Sequence, residues 1–154
     1  MHVPTSPANS TDRNLDAALT AVATEIGRTD GKASLLLAFN GAVLAGLVSM
    51  AGNNLTVATR VLGALAMTAL GIAAVLLLLV VRPRLGGHDR ASFPYWARLA
   101  ETQIQACMTG DTRAARIRIL SNIALAKFTK LRHAVDCILA ALAFLALAAA
   151  GTWL

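Results

Sequence analysis

The feature that most constrains this chain is a set of three long segments without a single Asp, Glu, Lys or Arg. Charge is absent from residues 33–59, 61–81 and 137–154. A helix needs about 20 mostly apolar residues to cross the hydrocarbon layer of a bilayer, and the three segments have about this length. They therefore predict an all-α membrane protein with three transmembrane helices.

The composition supports this prediction. Of the 154 residues, 56% are hydrophobic and only 14% are charged, whereas an ordinary soluble domain carries about 25% charged residues. A soluble helical bundle is the alternative, but uncharged runs of this length disfavour it. We expect the crossings at residues 33–51, 61–81 and 134–154, with Pro83 ending the second helix because proline cannot continue it.

An amphipathic helix is expected before the first crossing. Residues 1–11 are polar and proline-containing, which predicts disorder, and residues 12–32 carry an apolar stripe at helical spacing. The stripe comprises Leu15, Leu19, Val22 and Ile26. We expect it to pack against another helix of the protein, with Gly31 loosening the joint to the crossing.

The distribution of positive charge predicts the topology. Ten of the 14 Lys and Arg residues lie between residues 82 and 132, where there are only three acidic residues. Basic loops stay in the cytoplasm, so the region 82–133 and the N-terminus are expected inside and the C-terminus outside. Within this region we expect one helix over residues 93–108. From Thr112 to Ala150 no Pro or Gly occurs, which predicts a second helix, capped by Asp111, running unbroken into the third crossing.

Catalytic chemistry is not indicated. The sequence has no paired carboxylates, no Cys/His metal spacing and no glycine-rich phosphate loop, and Cys107 and Cys137 are interpreted as small packing residues. We expect a protein that is not an enzyme and that holds no cofactor or metal.

Two polar residues in the crossings have two interpretations each. Asn40 is expected to form a hydrogen bond between helices, or alternatively to line a pore. Asp136 is expected to pair with Arg132 or Lys130 near the headgroups, or alternatively to line or gate a channel. Small residues in the first crossing favour close helix approach and a homo-oligomer, at Gly41, Ala42, Ala45 and Gly46.

The basic region is the strongest functional indication. Its cations offer charge to an anionic ligand, and Tyr95 and Trp96 offer faces on which a base can stack. The cations in question are Arg113, Arg116, Arg118, Lys127 and Lys130. The alternative is that they anchor the chain to anionic lipid. Nucleic acid is not an expected partner of this membrane protein.

Several segments resemble the Pycsar effector transmembrane (PycTM) domain family. The first runs Asp30-Gly-Lys32-Ala-Ser-Leu-Leu-Leu-Ala-Phe-Asn40-Gly41, and the others are Arg82-Pro83-Arg84 and Lys127-Phe-Thr-Lys130-Leu-Arg132. They occur in the family's order and extend over nearly the whole chain.

The resemblance implies an effector of a bacterial anti-phage system that acts at the inner membrane. In such a system a partner pyrimidine nucleotide cyclase makes cCMP or cUMP on infection. The effector answers by impairing membrane integrity, and the infected cell stops growing or dies. Two other functions stay open from the residues alone, namely a constitutive small channel and a membrane anchor for a cytoplasmic partner.

Overall fold

The computed structural model describes residues 7–50, 56–83, 93–107 and 110–151, and these residues form helices and no strand. The helices are α1 (Pro7–Met50), α2 (Val57–Val81), α3 (Phe93–Trp96), α4 (Glu101–Cys107) and α5 (Arg113–Ala150). Among them α1, α2 and α5 are long and apolar enough to cross a membrane. The predicted all-α architecture with three crossings is confirmed, as is the unbroken helix that leads into the third.

Helix α1 is longer than predicted. It begins at Pro7, so residues 7–11, which were expected to be disordered, are helical. Proline is tolerated at the first helical position because the N–H it lacks would have no partner within the helix. Gly31 does not interrupt the helix either. A single glycine costs a helix only about 1 kcal/mol relative to alanine, and the buried neighbours Thr29 and Ala33 hold this stretch in place.

Helix α2 begins and ends at identifiable signals. The Thr56 hydroxyl accepts a hydrogen bond from the Thr59 N–H at 3.3 Å, so the helix begins at Val57, four residues before the predicted crossing. At the other end the Arg82 N–H donates to the Leu78 carbonyl. Pro83 follows and has no N–H to donate, which confirms it as the stop.

The single helix expected over residues 93–108 is wrong. The described part of this region contains the one-turn α3 and the separate α4, with residues 97–100 between them. The Gln103 side chain accepts the Ala100 N–H at 3.1 Å, which is how a glutamine at the third helical position caps a new helix. A local cap therefore divides a segment whose composition alone is compatible with one helix.

The chain divides into two compact units. One, here called the polar unit, contains residues up to 28 together with 83–126, and the other, the membrane unit, contains residues 29–82 and 127–154. Within the membrane unit, α2 buries residues at spacings of four, three, four and three, the period of a helical packing seam. These are Ala66, Leu70, Ala73, Leu77 and Val80.

Alanine allows the membrane-unit helices to approach closely. Ala33 of α1 and Ala134 and Ala141 of α5 are fully buried, like the two alanines in the seam of α2. Without a hydrophobic driving force between helices in lipid, small residues permit the close van der Waals contact that holds crossings together. The four small residues that the sequence singled out, beginning with Gly41, are exposed in this chain, and the homo-oligomer they favour stays a prediction.

Large aliphatic side chains cover the outside of the crossings. Leu35 is 74% exposed, Val57 78% and Leu139 59%. A soluble protein rarely leaves so much contiguous apolar surface in water, whereas acyl chains solvate it. The soluble bundle is therefore rejected, and the protein is a multi-pass membrane protein.

Asn40 is the buried polar residue of α1 within the crossing. Its side chain is fully buried, and its Nδ2 donates to the Leu70 carbonyl of α2 at 2.8 Å. The hydrogen bond between helices that the sequence indicated is thus present. A role of Asn40 in a pore stays a prediction.

We expect Asn40→Ala to lower the free energy of unfolding by about 1 kcal/mol, the size typical of an interhelical hydrogen bond in a membrane. Thr68→Ala is the matched control, because the Thr68 hydroxyl donates to the Ala64 carbonyl of its own helix and, among the described residues, to no other helix. Reversible unfolding in mixed micelles measures both. Equal losses for the two variants would contradict a helix-joining role for Asn40.

Candidate functional site

Arg113 is surrounded by three carboxylates in the polar unit. Its guanidinium donates to Asp12 and Asp16 (3.1 Å) of α1 and to both oxygens of Asp111 (3.0 Å each). Asp111 also accepts the backbone N–H of Arg113 at 3.0 Å, so it stabilises the start of α5 as the sequence suggested. We call these four residues the arginine clamp.

The electrostatics of the arginine clamp favour its charged form. The hydrogen bonds from the Arg113 side chain and backbone hold the pKa of Asp111 below its ordinary value of 3.8. The other two carboxylates lie one helical turn apart on α1, which allows both to reach one guanidinium. Arg113, which the sequence offered as a ligand-binding cation, is thus already engaged by carboxylates of its own chain.

A second ion pair stands in the membrane unit. Lys127 Nζ donates to Asp30 Oδ1, and the two side chains are only 13% and 35% exposed. Asp30 begins the family-like segment at the start of the first crossing, and Lys127 precedes the third. The pair therefore joins α1 to α5, and Lys127, like Arg113, is already bound to a carboxylate of its own chain.

Arg116 and Trp96 form the cation–aromatic pair of the polar unit. The Arg116 guanidinium carbon lies 5.7 Å from the centroid of the Trp96 ring, within the range of a cation–π contact. Its Nη1 is buried and has no hydrogen-bond partner among the described residues. Tyr95 is half-buried beside Trp96 on α3. A buried donor without an acceptor is costly, and an anion at this position would satisfy it.

The remaining candidates lie apart from these clusters. Arg118, Lys32 and Arg82 are exposed, and Lys130 is half-buried. Arg118 follows Arg116 by two residues, which places it on the opposite side of α5. Within the described chain, no group of His, Cys, Asp and Glu side chains is arranged to hold a metal.

The predicted pairing of Asp136 is wrong. The residue is exposed and forms no ion pair with any described residue. Lys130 precedes it by six residues and lies on another face of the helix. Arg132 precedes it by four residues and shares its face. A cation that precedes an acid by four residues, however, forms a weaker ion pair on a helix than an acid that precedes a cation.

The sequence indicated the cations of the site but not the carboxylates with which they pair. Asp12 and Asp16 were visible as two acids one turn apart, a spacing that suits a shared cation, but nothing local pointed to Arg113. Asp30 and Lys127 were both recognised, yet in separate roles. Their pairing depends on contact between α1 and α5, which periodicity does not reveal.

The fold and these contacts define a class of protein. It is an all-α, multi-pass membrane protein whose first and last long helices, α1 and α5, are joined by ion pairs. A family model described as the Pycsar effector protein domain, PycTM, matches residues 14–153. The match extends over most of the chain, which therefore belongs to the Pycsar effector transmembrane family, as the resemblance predicted. The chain is accordingly a membrane effector of anti-phage defence. No curated protein and no solved structure matches it.

We expect the contribution of Asp111 to disappear in acid. A carboxylate whose pKa is lowered on folding stabilises the folded state above its unfolded pKa, and that stabilisation is lost as the pH falls through the folded pKa. Asp111→Asn should therefore lower the melting temperature at pH 7 but have progressively less effect below pH 3.8. Glu101→Gln, an exposed acid of α4, is the control. A pH-independent effect of Asp111→Asn would contradict the charge-based contact.

We expect Asp30 and Lys127 to be energetically coupled. Each of Asp30→Asn and Lys127→Met should lower the free energy of unfolding by about 1–3 kcal/mol, between the values for exposed and buried pairs. The double variant should cost less than the sum, because it leaves no charge unpaired. Lys130→Met, which removes a cation that forms no ion pair with any described residue, provides the comparison. Simple additivity in this cycle would argue against the pair.

Proposed function

We propose that this protein is a membrane effector activated by a cyclic pyrimidine nucleotide, cCMP or cUMP, that impairs inner-membrane integrity and so aborts phage infection. The observation that carries the proposal is the family match over residues 14–153, which includes most of the polar unit and the three helices long enough to cross a membrane. A separate cyclase would supply the nucleotide, so the partner acts through a diffusible product. The effector itself would need no catalytic group.

The proposed orientation follows from charge. The region 82–132 carries ten basic and three acidic residues, and such an excess favours the cytoplasmic side. The polar unit would then face the compartment in which the cyclase releases its product. The N-terminus would lie inside and the C-terminus outside.

The proposed nucleotide site is centred on Arg116 and Trp96. A cyclic phosphodiester carries one negative charge and two exocyclic oxygens, either of which can accept from the unpartnered Nη1 of Arg116. The pyrimidine would stack on Trp96 or Tyr95, because an aromatic face accepts a base without strict geometry. Arg118, an exposed cation of the same unit, would add long-range attraction.

The arginine clamp is proposed as the resting contact of this switch. Arg113 can reach a phosphate only after leaving carboxylates of α1, so a ligand that recruits it would loosen α1 from α5 within the polar unit. A nucleotide shifts a conformational equilibrium only if it binds one arrangement more tightly than the other. Bonds gained by Arg113 and Arg116 in the open arrangement would supply that difference. Assembly of several subunits around the opened crossings would then breach the bilayer.

Dye release from vesicles tests the proposal. The full chain is inserted into phosphatidylethanolamine–phosphatidylglycerol vesicles loaded with a self-quenching dye, and cCMP, cUMP, cAMP and linear 5′-CMP are added separately. We expect release with a cyclic pyrimidine nucleotide only. No release with either cyclic pyrimidine nucleotide, with insertion verified, would refute the function. Equal release without nucleotide would instead support a constitutive channel.

Two variants test the site. Arg116→Gln removes a charged hydrogen-bond donor and should raise the nucleotide concentration for half-maximal release by about tenfold to a hundredfold. Trp96→Leu keeps an apolar side chain but removes the stacking face and should act in the same direction. Arg98→Gln, an exposed cation of the same unit, is the matched control. Unchanged responses in the first two variants would move the nucleotide site elsewhere.

A further inference from the structure

A groove opens in the membrane unit at the end of the crossings where α1 and α5 finish and α2 begins. Its volume is about 630 Å³, in the range of sites that bind small organic ligands. Its walls are aliphatic and come from all three helices. They include Leu47 and Met50 of α1, Gly63 and Met67 of α2, and Leu145 and Ala148 of α5.

One cation lies at the edge of this apolar space. Arg60, in the first turn of α2, lines the groove and is exposed. The N-terminal turn of a helix is itself positive because its N–H groups point outward along the axis. The groove thus combines long apolar walls with a positive terminus.

We propose that the groove binds an anionic phospholipid, with an acyl chain along the aliphatic walls and the phosphate at Arg60. An amphiphile with a negative head has the same distribution of apolar and charged parts as the site. Arginine near the end of a crossing extends its guanidinium to the headgroup layer, where phosphates are abundant. This site is separate from the proposed nucleotide site and does not depend on it.

A second copy of the chain fits the groove less well. The sequence has no acidic residue between Asp30 and Asp89, and the acids of the membrane unit, Asp30 and Asp136, lie at or near the beginnings of the first and third crossings. A neighbouring copy in the same orientation would therefore bring no Asp or Glu side chain to Arg60. Covering this cation with an apolar helix would leave a buried charge unpaired, which is strongly unfavourable.

The glycines of α2 allow the groove to be filled without disturbing the helix. A Cβ added at Gly63 meets no atom within 4 Å, and the same holds at Gly71. Gly63 lines the groove, whereas Gly71 does not. Gly63→Leu should therefore occupy the space of the acyl chain, and Gly71→Leu is a control with the same change on the same helix.

Native mass spectrometry of the detergent-purified full chain tests the lipid site. Dioleoyl phosphatidylglycerol and dioleoyl phosphatidylcholine are titrated separately, and one tightly bound phosphatidylglycerol per chain is expected. Arg60→Gln should weaken it about fivefold, the effect of one cation near a membrane surface, while Arg60→Lys retains it. Gly63→Leu should displace the lipid and Gly71→Leu should not.

Three results would overturn the proposal. Equal affinity for both lipids, unchanged by Arg60→Gln, would remove the role of the charge. Competition by glycerophosphoglycerol as effective as that by the intact lipid would show that the groove walls hold no acyl chain. A change in subunit number on Gly63→Leu, with lipid binding unaltered, would assign the groove to a second copy. Since Arg60 is exposed, its two variants are informative even if Gly63→Leu fails to fold.

Discussion

Hydrocarbon offers no hydrogen-bond partner, so every polar group placed in it must be satisfied by the protein itself. The helical backbone of the crossings meets this requirement, but the Asn40 side chain meets it only in part, because its Oδ1 is buried without a hydrogen-bond partner among the described residues. The crossings of the membrane unit are helices, the buried seam of α2 is made of alanine and branched aliphatic residues, and the amide of Asn40 donates to the Leu70 carbonyl of the neighbouring helix. Alanine side chains are compatible with many close alignments of α1 and α2, whereas the hydrogen bond from the Asn40 amide to the Leu70 carbonyl is compatible with few. A slip of one residue would separate the amide from its acceptor and leave a buried donor unsatisfied. Asn40 therefore specifies the register in which α1 and α2 pack.

The charges of α1 and α5 perform a comparable role outside the hydrocarbon. Arg113 binds Asp16 in the polar unit and Lys127 binds Asp30 in the membrane unit, and both pairs join residues 97 positions apart. The bridging residues are thus separated by 14 positions on each helix, which is two heptads of a packing seam. Within each unit, a pair of opposite charges favours one alignment of α1 and α5, just as charged pairs select register in coiled coils. The acids of α1 and the cations of α5 are in this sense parts of one pattern.

Features encoded by neighbouring residues were predictable from the sequence. The uncharged runs predicted the crossings, Pro83 predicted the end of α2, and the absence of Pro and Gly from residues 112–150 predicted an unbroken α5. The division of residues 93–108 into two helices was not predicted, since it depends on one side-chain cap at Gln103. The ion pairs of Arg113 and Lys127 could not be predicted for a different reason. The sequence shows which residues are charged but not which of them pair. The carboxylates of α1 that neutralise these cations lie about 100 residues away along the chain, and only the packing of α1 against α5 brings them together.

This neutralisation changes how the basic region can recognise an anion. Counted from the sequence, residues 82–132 are strongly positive, yet Arg113 with its three aspartates is a cluster of net negative charge. In the proposed mechanism, a nucleotide anion would be repelled by that cluster as long as Arg113 remains bound to the aspartates. Arg116 differs because its guanidinium lies over an indole ring and its Nη1 has no acceptor in the part of the chain that the structure describes. Proposed binding that starts at Arg116 and Trp96 would meet no carboxylate bonded to Arg116 among the described residues, whereas binding that extends to Arg113 would first have to displace the aspartates. Without nucleotide, opening the clamp would leave the aspartates without their cation, which costs free energy. In the proposed mechanism this cost keeps the clamp closed until a nucleotide binds, so that membrane impairment would depend on the ligand.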